Sequence, residues 1–358
     1  MGSHLSLWRC VREPAPGCPH GQQTHCWGRG TSAVPASGDR GGCATPTSVP
    51  LLAALAGWLA HLHLPDIVSR LPDLRRGLPA LEGLILESPV REHDVTRLPL
   101  GLASLELCDC SGLERLPPAL LQLIRLQQLD LIDLLAGPHH GEEAGFFDAL
   151  PAGLTFLGAS HWGTDEEPFP LPARLSALTS LISLELYGWE PWSGHKHMPP
   201  SLTNLTVSVA FEDPGDAPPD LRHLTRLQRL VLEDFWRDEG GGLPQLPLSL
   251  THLSAEWYGD EEVWRVPPCL SQLTNLGSLQ LGGAPLDGGF EDLPRSLTYL
   301  QICSVVEGEL AVPPEIGLLT RLLELDLRRW GRGPQAPRVG GLEHVPPRVA
   351  VSLPFRYL

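Results

Sequence analysis

Lysine is almost absent from this chain. One, Lys196, stands against 25 arginines, and asparagine (two), methionine (two) and tyrosine (four) are nearly as scarce. Also missing is an apolar run of the roughly 20 residues that a membrane-spanning helix needs. The longest, "LLAALAGWLAHLHL" over residues 51–64, ends at Pro65 after 14. The start, "MGSHLSLWRCVREP", has no apolar h-region, so a secretory route is not expected and the eight cysteines are expected to be reduced. There is no GxxxxGKS/T, no GxSxG and no HExxH, and the many acids have no spacing that singles out a catalytic pair. No nucleophile, cofactor or enzyme class is nominated. Charge weighs against another class: residues 51–358 hold 22 basic and 40 acidic side chains, net −18, which repels phosphate backbones and anionic lipid.

What the chain has in abundance is leucine at odd intervals. "VPPEIGLLTRLLELDLRR", residues 312–329, places large aliphatics at Ile316, Leu319, Leu322, Leu325 and Leu327, in steps of three, three, three and two. A helix would step by threes and fours and a half-buried strand by twos. A segment that turns loosely and then extends would bury all five on one side, provided neighbours cover it. The chain supplies those neighbours. "VPPCLSQLTNLGSLQL" from Val266, "APPDLRHLTRLQRLVL" from Ala217, "LPARLSALTSLISLEL" from Leu171 and "LPPALLQLIRLQQLDL" from Leu116 repeat the phrase. Between them lies a shorter one: "LPLGLASLEL" from Leu98, "LPAGLTFLGA" from Leu150, "MPPSLTNLTV" from Met198, "LPLSLTHLSA" from Leu246 and "LPRSLTYLQI" from Leu293. The leucines that open each LxL core fall at 84, 105, 129, 157, 184, 205, 230, 253, 279, 300 and 325, a mean interval of 24.1 residues.

Over residues 78–330 these phrases resemble the leucine-rich repeat superfamily, whose period is about 20–29 residues. The longer phrase is similar to the plant and Ras-suppressor type and the shorter, LPxSLTxLxV, to repeats of bacterial effector proteins. The resemblance implies an α/β solenoid: a horseshoe with a parallel concave β-sheet and a mostly irregular or 3-10 convex side. The family usually places Asn five residues after the core-opening leucine. Here that position holds Pro89, Cys110, Leu134, Trp162, Trp189, Ala210, Phe235, Tyr258, Ala284, Val305 and Trp330, and the expectation is that these pack inward.

The organisation expected is a disordered leader at 1–50, rich in Gly, Pro, Ser, Thr and Cys; an N-terminal helical cap at 51–77; the repeat array at 78–330; and a basic C-terminal cap or tail at 331–358. In the leader, Cys10, Cys18, His20, His25, Cys26 and Cys43 lack the paired knuckle spacing of a zinc site, and "MGSHLS" fits the myristoylation pattern at Gly2. "GPHHGEE" at 137–143 and "GHKHM" at 194–198 put His139, His140, Glu142, His195 and His197 on loops two repeats apart, a poor basis for a metal site. No cofactor or metal is expected.

Each LxL core should be a short strand, with the residues before, between and after its leucines on the concave face. Those positions, with one further residue per repeat, give Glu87, Glu106, Asp109, Asp130, Asp133, Glu185, Glu233, Asp234, Glu256, Glu324 and Asp326, against Arg229, Arg328 and Arg329. From residue 328 the sign reverses, with six Arg and one Glu to the end. The candidate partner-binding residues are therefore Glu87, Glu106, Asp130, Glu185, Tyr187, Glu233, Glu256 and Asp326, a docking face for a basic protein segment. Trp189, Trp192, Trp236 and Trp257 are candidate rim anchors, since interfaces favour Trp. The function expected is a non-enzymatic interaction scaffold. The alternative is a substrate-recognition subunit of a ubiquitin ligase that docks an adaptor through residues 51–76, where an F-box-like segment would start at Leu64. The resemblance implies signalling or scaffold roles, a cytoplasmic location, and for some similar proteins the cytoskeleton or ciliary axoneme.

Overall fold

The computed structural model describes residues 59–64, 71–87, 89–110, 113, 115–134, 146–161, 171–189, 194–208, 220–235, 243, 245–257, 265–282, 288–302, 310–328 and 339–353. All of them belong to one compact unit, Pro46–Leu358. Its strands are β1 (His61–Leu64), β2 (Gly83–Leu86), β3 (Ser104–Leu107), β4 (Gln128–Leu134), β5 (Phe156–His161), β6 (Ser183–Tyr187), β7 (Asn204–Ser208) and β8 (Arg229–Phe235). They continue with β9 (His252–Trp257), β10 (Ser278–Gly282), β11 (Tyr299–Ile302), β12 (Leu310–Ala311), β13 (Glu324–Asp326), β14 (Val339–Gly340) and β15 (Ala350–Ser352). Among the described residues, thirteen strands form one parallel sheet in chain order, and β12 pairs with β14 apart from it. Two single-turn helices, α1 (Leu74–Gly77) and α2 (Glu92–Val95), precede β2 and β3.

The leucine steps explain the backbone. Ile316, Leu319 and Leu322 donate their N–H groups to Pro313 O, Ile316 O and Leu319 O at 3.0–3.1 Å, so the first two steps of three are i→i+3 turns in which successive aliphatics eclipse one another, and the third leads into the strand. The final step of two is strand β13 and the residue after it. Prolines preset the turn: the 3-10 stretches Pro118–Gln122, Pro268–Gln272 and Pro314–Leu318 each start on a proline that follows another. All eleven core-opening leucines are at most 2% exposed. They stand in one column, because each is the register partner of the next, as Leu184, Leu205 and Leu230 are. A buried leucine contributes about 1.5–3 kcal/mol, and here every coil covers its neighbour's.

A backbone ladder runs beside this column. Ala60 O accepts the N–H groups of both Glu82 and Gly83, Glu82 O those of Ala103 and Ser104, and the pattern continues to Thr298 O with Leu323 and Glu324, all at 2.8–3.1 Å. Side chains reinforce it in alternate coils. Thr155, Thr203, Thr251 and Thr298 donate to Gln127 O, Ile182 O, Gln228 O and Gly277 O at 3.0–3.3 Å. Ser201, Ser249 and Ser296 donate to Leu181 O, Leu227 O and Leu276 O at 2.7 Å. The S-L-T of the short phrase is thus a polar clamp onto the preceding long-phrase coil.

Two stretches differ from the sequence expectation. His61–Leu64, expected within a helical cap, is the first strand of the sheet, with Leu62 and Leu64 in register with Leu84 and Leu86. "HLHL" alternates at period two, and that pattern outweighs the apolar run leading into it. α1 does close the region as a turn, capped by the Asp73 side chain on Arg76 N–H at 3.2 Å. At the other end, inside the stretch expected as a basic cap or tail, Ala350–Ser352 adds a further strand beside β13, with Val351 in the leucine column. "VPPRVAVSL" resembles the short phrase, one residue shorter and with valine in place of leucine. Residues 1–50, including the zinc and myristoylation candidates, lie outside the described residues. Among the described residues no helix is long and apolar enough to cross a membrane.

Candidate partner-binding face

Strand alternation sends one set of side chains into the core and the other onto the open face of the sheet. The central outward position runs His63, Ile85, Glu106, Asp130, Gly158, Glu185, Thr206, Val231, Ser254, Gln280, Gln301, Asp326 and Ser352 from β1 to β15. Glu106 and Asp130 are direct register partners. Glu233 and Glu256 follow the paired residues Leu232 and Ala255 on adjacent strands. One guanidinium, that of Arg229, occupies the described outward positions of β2–β11.

The predicted residues do not share one environment. Glu87 is exposed and bonds to His63 Nε2 through Oε1 at 2.7 Å, which ties β1 to the end of β2. Glu106 Oε1 accepts from Cys108 Sγ at 3.6 Å. Burial, then the Glu106 carboxylate, and the more distant Glu87 and Asp130 push the Cys108 thiol well up, so it is a poor thiolate. Asp130, Glu185, Tyr187, Glu233 and Glu256 are half-buried on the outward face. Asp109 is half-buried and its carbonyl accepts Val90 N–H at 3.1 Å. Asp133 and Asp234 lie in β4 and β8.

Asp326 is a correction. Expected on the docking face, it is 1% exposed and locked: Arg328 donates to it through Nη2 at 2.6 Å and through Nε at 3.0 Å, and the Arg328 N–H reaches Oδ1 at 2.9 Å. Tyr299 Oη adds a bond from the neighbouring coil at 3.4 Å. Burial pushes the Asp326 carboxyl up, but these donors outweigh it and hold it below the usual carboxylate range. Burial and the Asp326 charge in turn push the Tyr299 phenol up to about 12. Asp326 serves the joint between β11 and β13.

Trp189 is a second correction. Expected at the rim, it is 5% exposed and its indole Nε1–H donates to Ala159 O at 3.1 Å, on the preceding strand β5. It fills the place of the family's Asn, as Cys110 does, whose Sγ lies 3.6 Å from Leu107 O inside the core. A large indole satisfies a buried carbonyl that a short amide would reach in a regular coil. Pro89, at the same position, is exposed. Trp257 lies in β9 opposite Phe235; Trp192 and Trp236 lie outside the described residues. His195 and His197 sit in a 3-10 turn, with the His195 ring 6.2 Å from that of His223. His139, His140 and Glu142 of the other loop lie outside the described residues. Among the described residues no three His, Cys, Asp or Glu are grouped to hold a metal ion.

Sequence reasoning missed Gly158. It lies between Asp130 and Glu185 in the central outward row, and a Cβ built on it would collide with Asp130 Oδ1 and stand 2.9 Å from Asp130 Cγ. The Asp130 carboxylate therefore leans across β5, over the glycine. The relation joins residues 28 apart, so only the register reveals it.

No family profile and no curated protein matches the sequence. Among solved structures, an internalin from Listeria monocytogenes is similar at 16% identity and TM-score 0.49, covering 86% of this chain and 88% of that one. A leucine-rich repeat protein of Leptospira interrogans is similar at 21% identity and TM-score 0.46, covering 76% and 71%. A plant peptide hormone receptor in complex with its peptide is similar at 19% identity and TM-score 0.38, covering 75% and 42%. The assignment rests on the coils themselves. Parallel strands stacked in chain order, each with a buried aliphatic in one continuous column and many of them preceded by a tight 3-10 turn, give this chain the leucine-rich repeat fold.

Proposed function

We propose that the chain is a non-enzymatic protein-interaction scaffold whose open sheet face, from β2 to β9, receives a basic segment of a protein partner. The observation that carries this reading is the sign of the outward rows. Glu87, Glu106, Asp130, Glu185, Glu233 and Glu256 stand on that face with Arg229 as the single guanidinium among its described outward positions. Clustered carboxylates on a low-dielectric floor focus the field and speed the approach of a cationic chain. Beyond β9 the described outward positions of β10 and β11 carry no acid, and at β13 Asp326 is locked by Arg328. The same proposal places the chain in the cytoplasm. The adaptor-docking alternative leans on residues 51–76, of which His61–Leu64 are already committed to pairing with β2.

The test is binding of partners recovered by proximity labelling, re-measured against purified chain carrying Glu185→Lys, Glu233→Lys and Glu256→Lys. The reading expects at least a tenfold loss of affinity, steeper at low salt. Affinity unchanged by the triple reversal overturns it.

A further inference from the structure

Resting on that reading, we infer that the surface over Gly158 is a built subsite for one arginine side chain of an extended partner segment. Three features converge there. Gly158 leaves β5 without an outward side chain at the centre of the face, and Asp130 lays its carboxylate across the space from β4. Glu185 rises from β6, the next strand on the far side. Above and below stand two rings: Phe156, two residues before Gly158 on the same strand, and Tyr187, two residues after Glu185. Both are half-buried, while the intervening Leu157 and Leu186 are buried inward, so the rings share the outward face with the carboxylates.

The chemistry fits a guanidinium better than an ammonium. A planar guanidinium presents N–H donors along two edges and can face two carboxylates at once, while its flat faces stack on aromatic rings. An ammonium is a point charge with stronger hydration and gains less from the rings. Leaning toward β6 also takes Asp130 away from Glu106, its direct neighbour, where like charges would repel. A cation between Asp130 and Glu185 offsets the repulsion that this lean creates on the other side.

The array spacing suggests how the segment lies. Asp130 and Glu185 share the central row on β4 and β6, and Glu233 stands on β8 one outward position further along, in the row of Tyr187, so the three acids lie on a line that runs obliquely across the strands. Two strand spacings are about 10 Å, the advance of about three residues of extended chain. Arginine at every third residue of a segment crossing the strands obliquely would meet the three acids in turn, the middle of them at Glu185.

The probe is a synthetic peptide with arginine at every third position, its citrulline counterpart and its lysine counterpart, titrated calorimetrically into the full chain. Three variants decide: Gly158→Ala, Glu185→Gln and Glu324→Gln. A Cβ at Gly158 meets the far end of a side chain that can rotate away, so Gly158→Ala keeps the fold and the net charge while expelling Asp130 from its seat. The expectation is arginine bound more tightly than lysine, citrulline not bound, a loss of fivefold or more for Gly158→Ala and Glu185→Gln, and less than twofold for Glu324→Gln. If Gly158→Ala binds like the native chain, or all acids matter equally, the subsite is overturned while the acidic docking face stands. If the arginine peptide does not bind the native chain at low salt, both are overturned. Circular dichroism of each variant checks that the fold is intact.

Discussion

Replacing Gly289 by alanine should unfold the C-terminal part of the array, whereas the same replacement at Gly158 should leave it standing. Gly289 adopts φ +79°, the left-handed region, and a Cβ there would lie 2.6 Å from Val266 O, 2.8 Å from Val266 N and 3.1 Å from Val266 Cβ. The left-handed conformation costs an L-residue about 1–2 kcal/mol. The collision is with backbone of the preceding coil, which can yield only by moving that coil, at about 1–3 kcal/mol by analogy with overpacked cores. Together the loss is about 2–5 kcal/mol. At Gly158 the obstacle is a rotatable carboxylate, and alanine is the better strand residue by about 0.5–1 kcal/mol, so the change is near zero or slightly stabilising. Denaturant melts followed by circular dichroism give the midpoints. Because solenoid coils can open locally, hydrogen exchange of amides in β10, β11 and β13 places the damage. Equal midpoints for Gly289→Ala and Gly158→Ala would refute the argument, since it assigns their difference wholly to what the new methyl meets.

Asp326→Asn should flatten the acid side of the stability profile. A carboxyl held below its unfolded value, about 3.9 for Asp, contributes stability that is fully present above that pH and drains away as pH falls through the folded value. Urea midpoints of native and variant chains should therefore draw together as pH falls below about 3.9; parallel curves from pH 7 to pH 2 would sink this account. Ser249→Ala removes a 2.7 Å bond to Leu227 O and should cost about 0.5–1.5 kcal/mol, adding independently to Ser201→Ala in the coil pair before it; strong coupling between the two would contradict separate clamps. Trp189→Phe keeps most of the apolar volume but leaves Ala159 O without its indole donor, so a loss of about 1–3 kcal/mol is expected with partner affinity unchanged; an affinity loss without a stability loss would restore Trp189 to the rim.

The leucine columns were legible in the sequence because burial on one side of a repeating coil forces an apolar residue at each recurrence, whatever the surroundings. Steps of three and two even revealed where turn gives way to strand, as Ile316 to Leu327 show. The ends of the array were not legible. Valine at Val351 and histidine beside Leu62 and Leu64 satisfy the same geometry with different letters, and a search keyed to leucine passes over them. Charge on the face was legible as a sign but not as availability. Asp326 has the spacing of its fellows, yet Arg328, two residues later on the same chain, can double back onto it, and only side-chain geometry distinguishes that from an open carboxylate. Trp189 likewise looked like a loop aromatic because the carbonyl it satisfies belongs to Ala159, 30 residues earlier. The S-L-T phrase was visible as a motif, but its purpose needed the register that sets each hydroxyl against the coil before it.

Those hydroxyls give the molecule a direction. Each short-phrase coil from Thr155 onward is fastened backward to its long-phrase predecessor, as roof tiles are nailed to the course beneath. Shortening the array from its C-terminal end in whole pairs would leave the remaining courses with their fastenings complete, while a cut inside a pair would strip a long coil of its cover. Growth or loss during descent should accordingly come in increments of two coils, and engineered versions should be lengthened the same way.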